Sequence, residues 1–142
     1  MEAKEYLMQL KGIDSLIETL SEELENAEQM IAPSGISISD VPEFSSGHVS
    51  DKTGSAAIRI EELKEELRQQ KKKYVDMKCT ATRLINQMEN VKHKTMLYQY
   101  YLKNRTLEGT AGYMNYSYQN ICRIHGKALI EFQKLMDKEG VS

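Results

Sequence analysis

From Ala3 to Ile31 the apolar residues recur at alternating intervals of three and four: Ala3, Tyr6, Leu10, Ile13, Ile17, Leu20, Leu24, Ala27 and Ile31. That spacing keeps one stripe of an α-helix apolar along its whole length, and such a stripe calls for a second helix to cover it. With the acids Glu18, Glu22, Glu25 and Glu28 off the stripe, the segment predicts a coiled-coil helix of roughly 40 Å at about 1.5 Å per residue. Gly12 is its weak position. A second, longer seam begins at Ala56 and continues through Ile60, Leu63, Leu67, Gln70, Tyr74, Met77, Ala81, Leu84, Met88 and Val91 without a slip. Two heptad helices joined by a loop are expected to zip together antiparallel. Gln70, the polar member of the seam, reads equally as a register device and as the point where the shorter first helix has ended.

Between the seams, residues 32–54 hold both prolines, three glycines and six serines, a composition that favours turns over regular structure. This stretch is expected to be a flexible linker. Ile36, Ile38, Val41 and Phe44 offer it a short strand or a docking contact, and His48 stands there without partners or an assigned role. The seams are satisfied equally by pairing within one chain or across two, so a homodimer through the coiled coil stays open.

The net charge of −2 conceals a polarity along the chain: residues 1–66 carry 15 acids against 5 bases, and residues 67–142 carry 6 acids against 14 bases. A basic half is the electrostatic footprint of a phosphate-binding surface, while an acidic half is repelled by DNA and needs other work. Antiparallel helices that attract each other also separate charge in this way. Lys71, Lys72, Lys73 and Lys78 read first as a solvated helix face and only second as a nucleic-acid contact. Cys79 and Cys122 are far apart and lack the spacing of a metal site or a secreted disulfide framework, which points to reduced thiols in a cytoplasm. No apolar run reaches the roughly 18 residues of a membrane span, and the acidic, amphipathic start is unlike a signal peptide. Without a glycine-rich phosphate loop, paired carboxylates or a nucleophile beside a base, the chain is not expected to be an enzyme. No cofactor, metal or small-molecule substrate is expected.

After a break at Glu89-Asn90, residues 92–103 (KHKTMLYQYYLK) predict a short helix with Leu97, Tyr101 and Tyr98 turned inward. Tyr98, Tyr100 and Tyr101 suit base stacking, but tyrosines at helical spacing are more often core. Thr106 caps the next helix, whose Leu107, Ala111 and Met114 face inward and whose Gly109 and Gly112 weaken it. The turn Met114-Asn115-Tyr116-Ser117 then joins a stop signal to a start signal, since Asn115 tolerates the left-handed conformation and Ser117 can cap the following helix. On that last helix Ile121, Ile124, Ala128, Phe132 and Leu135 share one face, and Gln119, Arg123 and Lys127 gather on the opposite one. An ordinary solvated face explains the polar set as well as a ligand does. Yet Gln and Arg are the side chains that pair bidentately with adenine and guanine edges in the major groove, and Lys suits a phosphate. His125, near the inner edge, reads as a structural residue.

From Leu97 to about Phe132 the chain resembles the region-four helix-turn-helix of bacterial sigma factors: Thr106-Leu107 opens the first helix, Ala111 is at its centre, the turn runs Met114 to Ser117, and Ile121, Ile124 and Lys127-Ala128-Leu129 follow. Over nearly its full length it also resembles phage late-gene transcription regulators of the RinA and ArpU type, through Ala3-Lys4-Glu5-Tyr6-Leu7, Tyr101-Leu102, Tyr116-Ser117 and His125-Gly126-Lys127-Ala128-Leu129. The resemblance implies that Tyr118, Gln119 and Arg123 meet bases and Lys127 a phosphate, with Ser117 and Asn120 completing the DNA-binding set.

The expected architecture is therefore all-α: a long antiparallel coiled-coil hairpin over residues 1–91, then a helix-turn-helix head over 92–142. The expected function is sequence-specific regulation of phage or prophage genes in the bacterial cytoplasm, with double-stranded DNA as partner and RNA polymerase as a candidate second partner. The competing reading is a protein-binding adaptor that acts through its coiled coil and carries a degenerate head, as the glycines of the 106–114 helix suggest.

Overall fold

The computed structural model describes residues 1–31 and 46–141, with side chains from residue 54 onward in the second stretch. It is all-helical, and among the described residues there is no strand. The helices are α1 (Ala3–Ile31), α2 (Ser46–Gln87), α3 (Val91–Leu97), α4 (Leu107–Met114) and α5 (Tyr118–Glu139), and α3 continues into a π turn at Tyr98–Leu102. None is long and apolar enough to cross a membrane. Residues 32–45 of the expected linker, with Ile36, Ile38, Val41 and Phe44, lie outside the described residues, as does the side chain of His48. Residues 46–54 differ from the expected linker, because α2 already includes them.

The chain forms two compact units: one combines Met1–Asp14 with Lys73–Ser142, and the other is Ser15–Lys72. In the first unit the start of α1 lies in the same core as the end of α5: Leu7 and Leu10 are fully buried in a cluster with Ala81, Leu84, Leu97, Tyr101, Ala128, Phe132 and Met136. Removing such side chains from water is worth about 1.5–3 kcal/mol each. Tyr6 adds a hydroxyl donated to the Met77 carbonyl at 3.2 Å. In the second unit Leu20 of α1 and Leu63 and Leu67 of α2 form a smaller core, edged by Ile17, Leu24 and Ala27. Outside it, Arg59 pairs with Glu23 at 3.3 Å, and the Arg68 guanidinium and then the Gln69 amide hold the Glu65 carboxyl down to about 2.

Most of both seams is inward as the spacing predicts, with one correction: Val91 is 71% exposed. The inward seam ends at Met88, just past α2, and Val91 begins a new helix, capped by the Asn90 side chain, which accepts from the N–H groups of Lys92 at 2.9 Å and His93 at 3.2 Å. Gln70 donates to Glu66 on its own helix, as a surface side chain does.

The expected helix over 92–103 is two structures in sequence. At the π turn the Lys103 N–H donates to the Tyr98 carbonyl, and the extra residue held in the turn lets Met96, Leu97, Gln99, Tyr101 and Leu102 all be buried. Tyr98 is corrected to an outward position. Two side chains from α1 secure this turn. The Lys11 ammonium donates to the carbonyls of Tyr100 at 3.0 Å and Arg105 at 3.1 Å while lying 3.6 Å over the Tyr100 ring, and Asp14 accepts from the Asn104 amide. Lys11 thus satisfies carbonyls that the end of a helix leaves open, the place where a cation is favoured.

Candidate nucleic-acid interface

The connection from α4 to α5 is built from local signals. Thr106 Oγ accepts from the Gly109 N–H at 2.9 Å and starts α4. Asn115 ends the helix in the left-handed conformation, φ 59° and ψ 43°, while the Tyr116 N–H returns to the Ala111 carbonyl at 2.9 Å. This pairing is the Schellman arrangement, which needs a residue tolerant of positive φ. Ser117 Oγ then accepts from the Asn120 N–H at 3.2 Å and starts α5. The sequence signals at Thr106, Asn115 and Ser117 all operate as anticipated.

Gly109 has a use that its helix propensity hides. A Cβ there would meet the Thr106 hydroxyl oxygen at 3.1 Å, so glycine leaves room for the cap. Gly112 faces open space and has no such contact.

The inner face of α5 supplies two cores. Ile121 and Ile124 pack with Met96 and Ala111, while Ala128, Phe132 and Met136 join Leu7, Leu10 and Leu97. Leu135, expected to be inward, is half-buried, and Met136 has the deeper place. Fixing this face on both cores turns Gln119, Arg123 and Lys127 to the exposed side. Among the described residues, none of the three has an ion pair or side-chain hydrogen bond within the chain. Ser117 and Tyr118 are exposed beside them, and Asn120 is half-buried. The hydrogen bond with Cys122 is the main cause that pushes the Tyr118 phenol above its ordinary range, with the Glu108 carboxylate adding to it.

Beyond the expected set, three cations around the same helices lie over tyrosine rings. Lys92 is 5.7 Å from the Tyr116 centroid, Lys103 is 5.7 Å from Tyr98, and Arg105 is 4.8 Å from Tyr113. A cation over a ring is attracted to it without being neutralised. The signal in the sequence was the interleaving of Lys and Arg with Tyr from Lys92 to Tyr118. Residues 91–141 carry eight Lys and Arg against four Asp and Glu. Two of those acids are committed, Glu131 to His93 at 2.7 Å and Glu139 to Arg83. Among the described residues no three His, Cys, Asp or Glu side chains are grouped to hold a metal ion.

Comparison with protein-family models, curated proteins and solved structures finds no match to this chain.

Proposed function

We propose that the chain is a sequence-specific DNA-binding transcription regulator, with α4, the Asn115 turn and α5 as its helix-turn-helix and the first turns of α5 in the major groove. The observation that carries the reading is the unneutralised outer face of α5, where Gln119, Arg123 and Lys127 stand opposite the buried Ile121, Ile124 and Ala128. Gln119 and Arg123 read base edges, Lys127 holds a phosphate, and Tyr118, Ser117 and Asn120 line the approach. The resemblance to sigma region four and to phage late-gene regulators of the RinA and ArpU type supports the same use. In this reading α1 and α2 form an antiparallel coiled-coil hairpin, in keeping with the pairing of Glu23 with Arg59 and of Tyr6 with Met77. Its acidic part is left for RNA polymerase or a second copy, in a bacterial cytoplasm.

The test is selection from a pool of randomised duplexes with the purified full chain. A defined motif should emerge, with affinity that falls steeply as salt rises through counterion release. Arg123→Ala should cost about 1–3 kcal/mol and relax preference at one position of that motif. If no duplex is enriched even at low salt, the reading is lost.

A protein-binding adaptor is the second reading, and the exposed apolar side chains of Met30 on α1 and Ile58 on α2 favour it. Activity in cells that survives Gln119→Ala combined with Arg123→Ala would select it.

A further inference from the structure

Arg105 is held in place more firmly than an exposed side chain ordinarily is, and none of what holds it is acidic. Its backbone N–H donates to the Gln99 carbonyl at 3.1 Å and its Nε–H to Gln99 Oε1 at 2.7 Å. Its carbonyl accepts from Lys11 Nζ at 3.1 Å, and its guanidinium lies 4.8 Å from the centroid of the Tyr113 ring. Gln99 is itself buried in the π turn, so the group that aims the guanidinium is anchored in the core. Tyr113 is 54% exposed, so the guanidinium that lies over it is at the surface of α4. Among the described residues no carboxylate is within ion-pair distance of Arg105.

Immobilising a long cationic side chain costs rotamer entropy. A protein that needed only to satisfy Arg105 would place a carboxylate beside it or leave it in water. Holding the side chain by a neutral amide and a ring while its terminal N–H groups remain unpaired fits an anion brought from outside. The planar fork of donors matches two phosphate oxygens. The position agrees: Arg105 immediately precedes Thr106, the cap of α4, where backbone N–H groups and the helix dipole also favour negative charge.

The geometry points to Arg105 as a DNA-phosphate contact, aimed by Gln99 and Tyr113, which fixes α4 on the duplex backbone while α5 reads bases. This deepens the DNA-binding reading and rests on it.

The experiment measures binding of the full chain to its selected duplex as salt rises from about 50 to about 200 mM. Arg105→Gln should reduce the salt slope by about one, so the affinity lost over that range becomes roughly three- to four-fold smaller, with the selected motif unchanged. Arg105→Lys should restore most of the slope, and Gln99→Leu should weaken binding with Arg105 present. As a measurement on the unaltered protein, the Arg105 Nε–Hε resonance should shift on addition of duplex. A wild-type slope in Arg105→Gln, or a resonance that does not move, overturns the assignment while leaving the role of α5 intact. Failure of the wild-type chain to bind any duplex overturns both.

Discussion

His125 shows how a single side chain links the core to solution conditions. Its Nε2 shares a 2.7 Å hydrogen bond with the Tyr101 hydroxyl, whose own ionisation burial pushes up. Burial foremost, then the charges of Lys4 and Lys11, hold the His125 ring below its ordinary value of 6.5, so the native state favours the neutral form. An unfolded chain takes up a proton on this ring at a higher pH than the folded one does. The stabilisation is therefore complete above about 6.5 and is lost as pH falls from there through the folded value. The melting temperature of the wild type should drop over that window, and His125→Gln should flatten the drop; an unchanged acid slope in the variant would assign the effect elsewhere. The sequence marked His125 as structural from its place on the α5 wheel. The interleaving of Lys and Arg with Tyr pointed to the neighbourhood of Arg105 but not to how it is held, because its setting depends on Gln99, six residues away and buried in the π turn.

Helix ends were the most readable elements, because a cap is decided by two or three neighbouring residues. Asn115 and Ser117 carry their conformations in their own chemistry. Asn115→Val should cost about 1–2 kcal/mol in a denaturant titration, whereas Asn115→Gly should be neutral or slightly stabilising. The two glycines of α4 should separate in the same assay. Gly112→Ala, into open space, should stabilise by about 0.5–1 kcal/mol, and Gly109→Ala should gain less because the new Cβ presses on the cap hydroxyl. Equal gains would show that the cap shifts freely. The π turn was not legible, since nothing local distinguishes Tyr98–Leu102 from an ordinary helical turn. Its form follows from burying five of the seven residues between Met96 and Leu102 and from the Lys11 ammonium at its end.

Over the molecule as a whole, the three-four spacing identified which helix faces turn inward but missed residues buried on a second side. Leu7 and Ile85 lie off the two seams and are nonetheless buried, because α1 and α2 each meet helices from the C-terminal part as well as each other. A heptad pattern describes contact with one partner, and only the assembled fold supplies the other. Leu10→Ala should therefore destabilise by about 2–5 kcal/mol, the range for emptying a filled core position, and a fragment of residues 91–141 should show no cooperative thermal transition. A fragment that melted as sharply as the full chain would show the C-terminal helices to be self-sufficient. The same closure has a consequence for how the protein is made. Ala3 donates its N–H to Gln133, 130 residues later, and Leu7 and Leu10 share a core with Phe132 and Met136. During translation the early leucines leave the ribosome long before the side chains that will cover them exist, and contacts this distant in sequence form slowly. Nascent chains of this protein should accordingly need chaperone protection until α5 has been synthesised.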